Sequence, residues 1–253
     1  MDEKSVHGRD FATILYTDSG IVLDVIEGRK QVDAETLITN TLSSVQRSNV
    51  LTVSMDMWEG FINAAKKELP NARICHDKFH LVKYLNKAVD DVRRREVKQH
   101  QELKRSRYLF LKDRMNLTDK QYVRFEAITK ANYEVSRAWR IKEDFRDIIK
   151  ERITDRAEVF SLFHIWLDTA LNSQIPEIIK VAEMFERHMY GIVNALSLGY
   201  NNGKAERMNG SIQELQTIGR GYKDVEHFRI VVLFFHGGLI LHKDDLLKKV
   251  NSY

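Results

Sequence analysis

Cysteine occurs once in these 253 residues, at Cys75. A lone thiol excludes a disulfide framework and any cysteine-rich zinc module, and it suits a reducing compartment. Cys75 itself reads as a small core residue. Proline occurs only twice, which argues against linkers and strand-rich sandwiches and favours helix. No apolar run approaches the roughly 18 residues of a membrane span, and no charged-then-apolar leader opens the chain. Internal repeats and low-complexity tracts are missing too. What remains is 43% apolar and 30% charged, a globular composition able to bury roughly three quarters of the unfolded surface.

The formal charge of +4 is unevenly spread. Lys83 to Arg114 holds 11 Lys or Arg against 5 Asp or Glu, so the other 221 residues net −2. Such a stretch is the electrostatic footprint of a nucleic-acid partner. An ion-paired, solvated helix face is the commoner cause of charge runs, and both readings stay open at this point.

Hydrophobic patterning divides the chain. Asp2 to Val6, Phe11 to Tyr16 and Ile21 to Ile26 read as a short antiparallel meander, with Asp18-Ser19-Gly20 as a turn. Val32 to Arg47 reads as one helix whose apolar face includes Val32, Leu37, Ile38, Leu42 and Val45. Val50 to Met55 has strand length and ends at Asp56; a helix from about Glu59 to Leu69 closes at Pro70, and Ala72 to Cys75 is a further strand. From Leu81 onward helical stripes take over, for example Phe160, Phe163, Leu167 and Ala170, and no strand is expected between His80 and Ser197. Trp139, Trp166 and Phe185 read as core anchors. The pattern predicts an α/β fold with a mixed sheet, interrupted by a large all-helical stretch.

Three acids stand out by position: Asp2 on the first strand, Asp56 at the end of the central apolar strand, and Glu206 near the start of a late helix. Functional groups collect beyond strand ends in open α/β sheets, and converging carboxylates suit hard divalent cations. Asp77 is the rival for the second acid, but Asp56 ends the more apolar strand.

Several blocks resemble a known family. They are Met1 to Ser5, Phe11 to Asp18 and Val25-Ile26-Glu27-Gly28-Arg29; then Asp56-Met57-Trp58-Glu59-Gly60-Phe61, Leu69 to Ala72 and Asp77-Lys78-Phe79-His80; then Asn202-Gly203-Lys204-Ala205-Glu206-Arg207-Met208-Asn209, Gly221-Tyr222 and Phe228-Arg229. Ser106 to Lys112 and Ala170 to Pro176 extend the likeness through the helical region. In order and spacing these resemble the DDE transposases of bacterial insertion sequences, in their ISL-three branch.

That resemblance implies a ribonuclease-H-like core: residues 1–92 as its first part, 93–196 as a helical insertion and 197–253 completing it. It implies Asp2, Asp56 and Glu206 as the catalytic triad, holding two Mg²⁺ ions for which Mn²⁺ substitutes. The reaction implied is cleavage of the element's terminal phosphodiester, then attack of the freed 3′-hydroxyl on target DNA. The partners implied are DNA and a second copy in a synaptic homodimer, in a bacterial cytoplasm at the nucleoid, with no membrane. Asp77, His80 and Asn209 are the supporting residues implied beside the triad, with helix capping an equal reading for Asp77. Arg93, Arg94, Arg95, Lys98, Lys104, Arg105 and Arg107 are the expected DNA contacts. Trp58 is expected to pack against the sheet, with base stacking the rarer option. Because the sequence starts one residue before Asp2, and the family carries zinc-binding and helix-turn-helix parts upstream, a catalytic-region fragment is expected. The alternative function is a catalytically silent remnant that binds DNA or itself.

Overall fold

The computed structural model describes residues 1–7, 10–112, 114–198 and 203–239. The chain forms two compact units, one of residues 1–73 with 201–253 and one of residues 74–200.

In the first unit, β1 (Asp2–His7), β2 (Asp10–Tyr16) and β3 (Val22–Glu27) make an antiparallel meander in the order β1-β2-β3. The register pairs Asp2 with Ile14 and Ile14 with Val25. Next come α1 (Gln31–Thr41), α2 (Ser44–Ser48), β4 (Thr52–Met55) and α3 (Glu59–Glu68). β4 runs beside the start of β5 (Arg73–His76), where the Arg73 amide donates to the Leu51 carbonyl at 2.9 Å.

The meander is covered on both faces. Alternate residues point to opposite sides of a strand, so a strand covered twice is buried at consecutive positions. Ala12, Thr13, Ile14 and Leu15 of β2 are all buried. Ala12 and Ile14, with Val22 and Val25, meet Met208, Ile212, Phe228 and Val232. α1 packs against β2, β3 and α3. The buried Thr13 hydroxyl is satisfied by the Gly28 carbonyl at 2.7 Å.

The helix expected over Val32 to Arg47 is two helices. Ser43 breaks it: its hydroxyl accepts from the Gln46 amide (3.3 Å) while the Gln46 side chain accepts from the Ser43 amide (2.9 Å). This reciprocal cap satisfies two amide donors and starts α2 afresh. Val45, expected on the buried face, is exposed in α2, and Val32, in the first turn of α1, is exposed as well.

The second unit is helical. Its elements are α4 (Lys78–Glu96), α5 (Arg107–Leu111), α6 (Asp119–Lys130), α7 (Glu134–Glu151), α8 (Arg156–Leu171), α9 (Pro176–Arg187) and α10 (Met189–Ser197). No described residue between Asp77 and Leu198 is in a strand. Phe145, Phe163, Trp166 and Phe185 form an aromatic centre, with ring centroids from Phe145 at 6.3, 4.8 and 5.4 Å respectively. The Trp166 indole N–H donates to the Ile141 carbonyl at 2.8 Å. Phe160, expected in this stripe, is exposed instead. Trp139 is half-buried and packs edge-on to Phe125.

The chain then returns to the first unit with α11 (Gly203–Ile218) and α12 (Val225–His236), whose Met208, Ile212, Phe228 and Val232 are the residues that meet the sheet.

Gly28 is a conformational pivot at the end of the meander. Its φ of +100° is in the region that favours glycine, and a Cβ there would run into the Asp33 carboxylate. That carboxylate accepts from the Lys30 amide at 2.8 Å and so opens α1. Gly28→Ala is therefore expected to lower stability by about 2 kcal/mol through backbone strain and the lost cap. Urea unfolding followed by circular dichroism measures it, and an unchanged midpoint would remove Gly28 as the pivot.

Candidate functional site

Asp2 opens β1 and Asp56 follows the last residue of β4. What brings these strands together is a main-chain link: the Met1 nitrogen donates to the Ser54 carbonyl at 2.8 Å. A carboxylate-bearing strand terminus stands close to each end of that bond, Asp2 one residue past Met1 and Asp56 two residues past Ser54. Both acids use one oxygen on the following amide, Asp2 on Glu3 (2.8 Å) and Asp56 on Met57 (2.7 Å). Such local bonds fix the side-chain rotamers.

Asp2 is 8% exposed. Among the described residues no Lys, Arg or His forms an ion pair with it. A buried carboxylate usually has a charge partner or a metal. The oxygen donors present suit a hard cation such as Mg²⁺. Among the described residues no group of three His, Cys, Asp or Glu is close enough to hold a metal. Glu206 falls within the first turns of α11, but its side chain, like that of Asn209, lies outside the described residues.

Trp58, expected to pack against the sheet, is 47% exposed. It precedes α3, and its indole N–H donates to the Arg29 carbonyl at 3.1 Å. The Arg29 guanidinium lies over Phe11 (4.0 Å) and beside Trp58 (5.6 Å). The ring is thus held at the rim by a hydrogen bond and a cation rather than by core packing. Gly60 leaves it room, since a Cβ there would come within 2.8 Å of the indole nitrogen.

Asp77 and His80 lie at the start of α4, in the second unit. The Asp77 carboxylate accepts from the Phe79 amide at 2.8 Å and caps the helix. Its other oxygen is 3.7 Å from His80 Nδ1, and both side chains are largely buried. Beside them, burial pushes the Lys78 ammonium below the usual lysine value; the Cys75 sulfur opposes that fall and the Arg152 charge adds to it.

The seven basic residues divide into groups. Lys98, Lys104 and Arg105 are exposed. Arg95 bridges two acids, Glu177 (2.7 Å) and Glu134 (2.5 Å), and these hydrogen bonds, Glu177 first, raise its already high pKa. Arg93, Arg94 and Arg107 gather on the buried Asp90. Sequence reasoning missed Asp90, although its spacing to Arg93 and Arg94 (i, i+3 and i+4) is a readable signal. It also missed the buried Glu96, which accepts from the Glu134 (2.9 Å) and Val135 (2.8 Å) amides at the start of α7. No local pattern could reveal that pairing.

Comparison with known proteins places these residues in context. A family model for ISL3-type DDE proteins, described as "Transposase", matches residues 1–232. The transposase of insertion sequence element IS1001 from Bordetella parapertussis is 25% identical over 238 residues, covering 90% of this chain and 58% of the relative. The transposase of IS1557 from Mycobacterium tuberculosis is 24% identical over 245 residues, covering 86% and 54%. The chain thus spans little more than half the length of these relatives. No solved structure matches. Among the described residues no helix is long and apolar enough to cross a membrane.

Capping and charge at Asp77 are separable by substitution. Asn caps as well as Asp, and Ala does not. Asp77→Ala is expected to cost about 1 kcal/mol in chemical unfolding, while Asp77→Asn stays near wild type. Equal losses in both would show that the carboxylate's charge beside His80, rather than the cap, supports the fold.

Proposed function

The chain belongs to the ISL3-type family of DDE transposases, and from that premise we propose that it carries the catalytic core that cleaves and joins DNA during movement of a bacterial insertion sequence. The observation that carries this reading is the Met1–Ser54 link, which makes neighbours of the strand ends bearing Asp2 and Asp56. The meander order β1-β2-β3, with β4 tied to the start of β1 and helices on both faces, supports a ribonuclease-H-like core.

In this proposal Asp2, Asp56 and Glu206 hold divalent metal, Mg²⁺ in the cell with Mn²⁺ as a substitute. A pair of such ions supplies positive charge where the phosphodiester gains negative charge. The protein's own part is positional. The amides of Glu3 and Met57 hold the two aspartates in fixed rotamers, so the carboxylates need not reorganise during the reaction. Water attacks the terminal phosphorus and the 3′-oxygen leaves with a proton. That 3′-hydroxyl then attacks a target phosphodiester, forming one P–O bond as the target strand's own P–O3′ bond breaks. Asp77, His80 and Asn209 are assigned supporting roles, and the exposed Lys98, Lys104 and Arg105 contact DNA phosphates. The active form is a homodimer that pairs two element ends at the bacterial nucleoid.

The test is strand cleavage by the 253-residue chain of a linear duplex carrying an end of the insertion sequence, with Mg²⁺ or Mn²⁺. Wild type is expected to nick, and Asp56→Asn to fall to background with an unchanged thermal midpoint. Nicking by the variant would reject the triad. A wild-type chain that binds DNA with no response to divalent metal and never nicks would reject the catalytic reading.

A further inference from the structure

We infer that the buried Asp90 organises Arg94 and Arg107 into a fork that grips one backbone phosphate of DNA. The identity of the anion as DNA rests on the function proposed above; the fork rests on geometry within the helical unit.

Three guanidinium groups share a single carboxylate. Arg93 takes Oδ1, through Nε at 2.8 Å and Nη2 at 2.7 Å, and is itself only 12% exposed. Oδ2 receives both Nε of Arg94, at 3.0 Å, and Nε of Arg107, at 3.4 Å. Asp90 is 7% exposed, whereas Arg94 and Arg107 are 61% and 49% exposed. Three positive charges against one negative leave an excess of two, and the two cations facing solvent are the pair that shares one oxygen.

That arrangement suits an anion better than it suits stability alone. A guanidinium has five N–H donors in a planar fork. One oxygen shared between two guanidiniums leaves most of those donors to solvent. Like charges held this close repel, and a phosphate between them would relieve the repulsion while accepting from both. The pair is also preorganised, which lowers the entropy lost on binding. Arg94 is held on α4 by its i, i+4 spacing from Asp90. Arg107 opens α5, where the buried Ser106 hydroxyl donates to the Leu103 carbonyl at 2.7 Å and fixes the turn. The nearby Asp91 is engaged by Lys87 at 2.5 Å, and Tyr108, 61% exposed, flanks Arg107 with its ring centroid 5.9 Å from the guanidinium. Arg95 differs in kind, since its charge is met by two acids.

Asp90 is thus a positioning residue, and it yields a prediction that plain charge attraction reverses. Asp90→Asn removes a negative charge from a basic surface, yet it is expected to weaken DNA binding several-fold because the fork loses its anchor. The measurement is fluorescence anisotropy of the full 253-residue chain on a labelled duplex in EDTA, across about 50–300 mM salt. The double variant Arg94→Gln/Arg107→Gln, both sites being exposed, should lower the log–log salt slope by about 0.9, the value for one phosphate. Arg95→Gln should leave the slope unchanged. Tighter binding by Asp90→Asn, an unchanged slope in the double variant, or a loss of about 1.8 would overturn the fork. Circular dichroism checks that each variant is folded, and the double variant decides alone if Asp90→Asn is not. Because the assay contains no metal, a chain that binds with this slope but never nicks refutes the catalytic proposal and keeps the fork. A wild-type chain that binds no duplex overturns both.

Discussion

One hydrogen bond, from the Met1 nitrogen to the Ser54 carbonyl, joins two strands that sequence separates by half a hundred residues. Everything proposed about chemistry depends on it. Without that link Asp2 is a polar residue at the end of a meander and Asp56 a turn residue before α3. With it, two carboxylates stand at adjoining strand ends, each already bonded to the next amide in its own chain. β2, whose Ala12, Thr13, Ile14 and Leu15 are all buried, sets the register of β1 by pairing its Ile14 with Asp2.

The helical unit uses buried charge in another way. Asp90, Glu96 and Lys142 are each buried and each fastens separate elements. Glu96 closes the amide end of α7, and Lys142 donates to the Phe110 carbonyl at 2.6 Å while pairing with Glu143 at 2.9 Å. Buried charges are costly unless paired and hydrogen-bonded, and these meet that condition. Their gain is specificity of arrangement, because a carboxylate on two amides is directional where apolar contact is not. The basic stretch from Lys83 to Arg114 is therefore neither wholly a DNA surface nor wholly an ion-paired face. Arg95 belongs to the second description, while Arg94 and Arg107 share one oxygen of Asp90 and keep much of their surface open to solvent, as the proposed phosphate fork requires.

Local signals were legible where a few neighbouring residues decide the outcome. The strand expected over Val50 to Met55 and found at Thr52–Met55, the helix ending before Pro70 and the cap at Asp77 all follow from short patterns. Legibility failed where competition was close. Ser43 and Gln46 cap each other and split a helix whose apolar spacing alone reads as continuous. Phe160 fits its helical stripe but is exposed, because periodicity gives a face and not the extent of what covers it. Trp58 stands at the rim because the Arg29 carbonyl, 29 residues away, offers its indole a partner.

The sequence by itself determined the alternation of a strand-rich beginning with a long helical stretch, and the ordered blocks that mark the family. Those are matters of residue type and spacing, which act within a few turns or along a strand. Only the tertiary structure decided which charges meet: Asp2 beside the β4 terminus, Glu96 at the head of α7, Arg107 with Arg94 on one carboxylate oxygen. Hydrogen bonds and ion pairs reach only about 3–4 Å, so partners far apart in the chain become partners only after packing has brought their elements together.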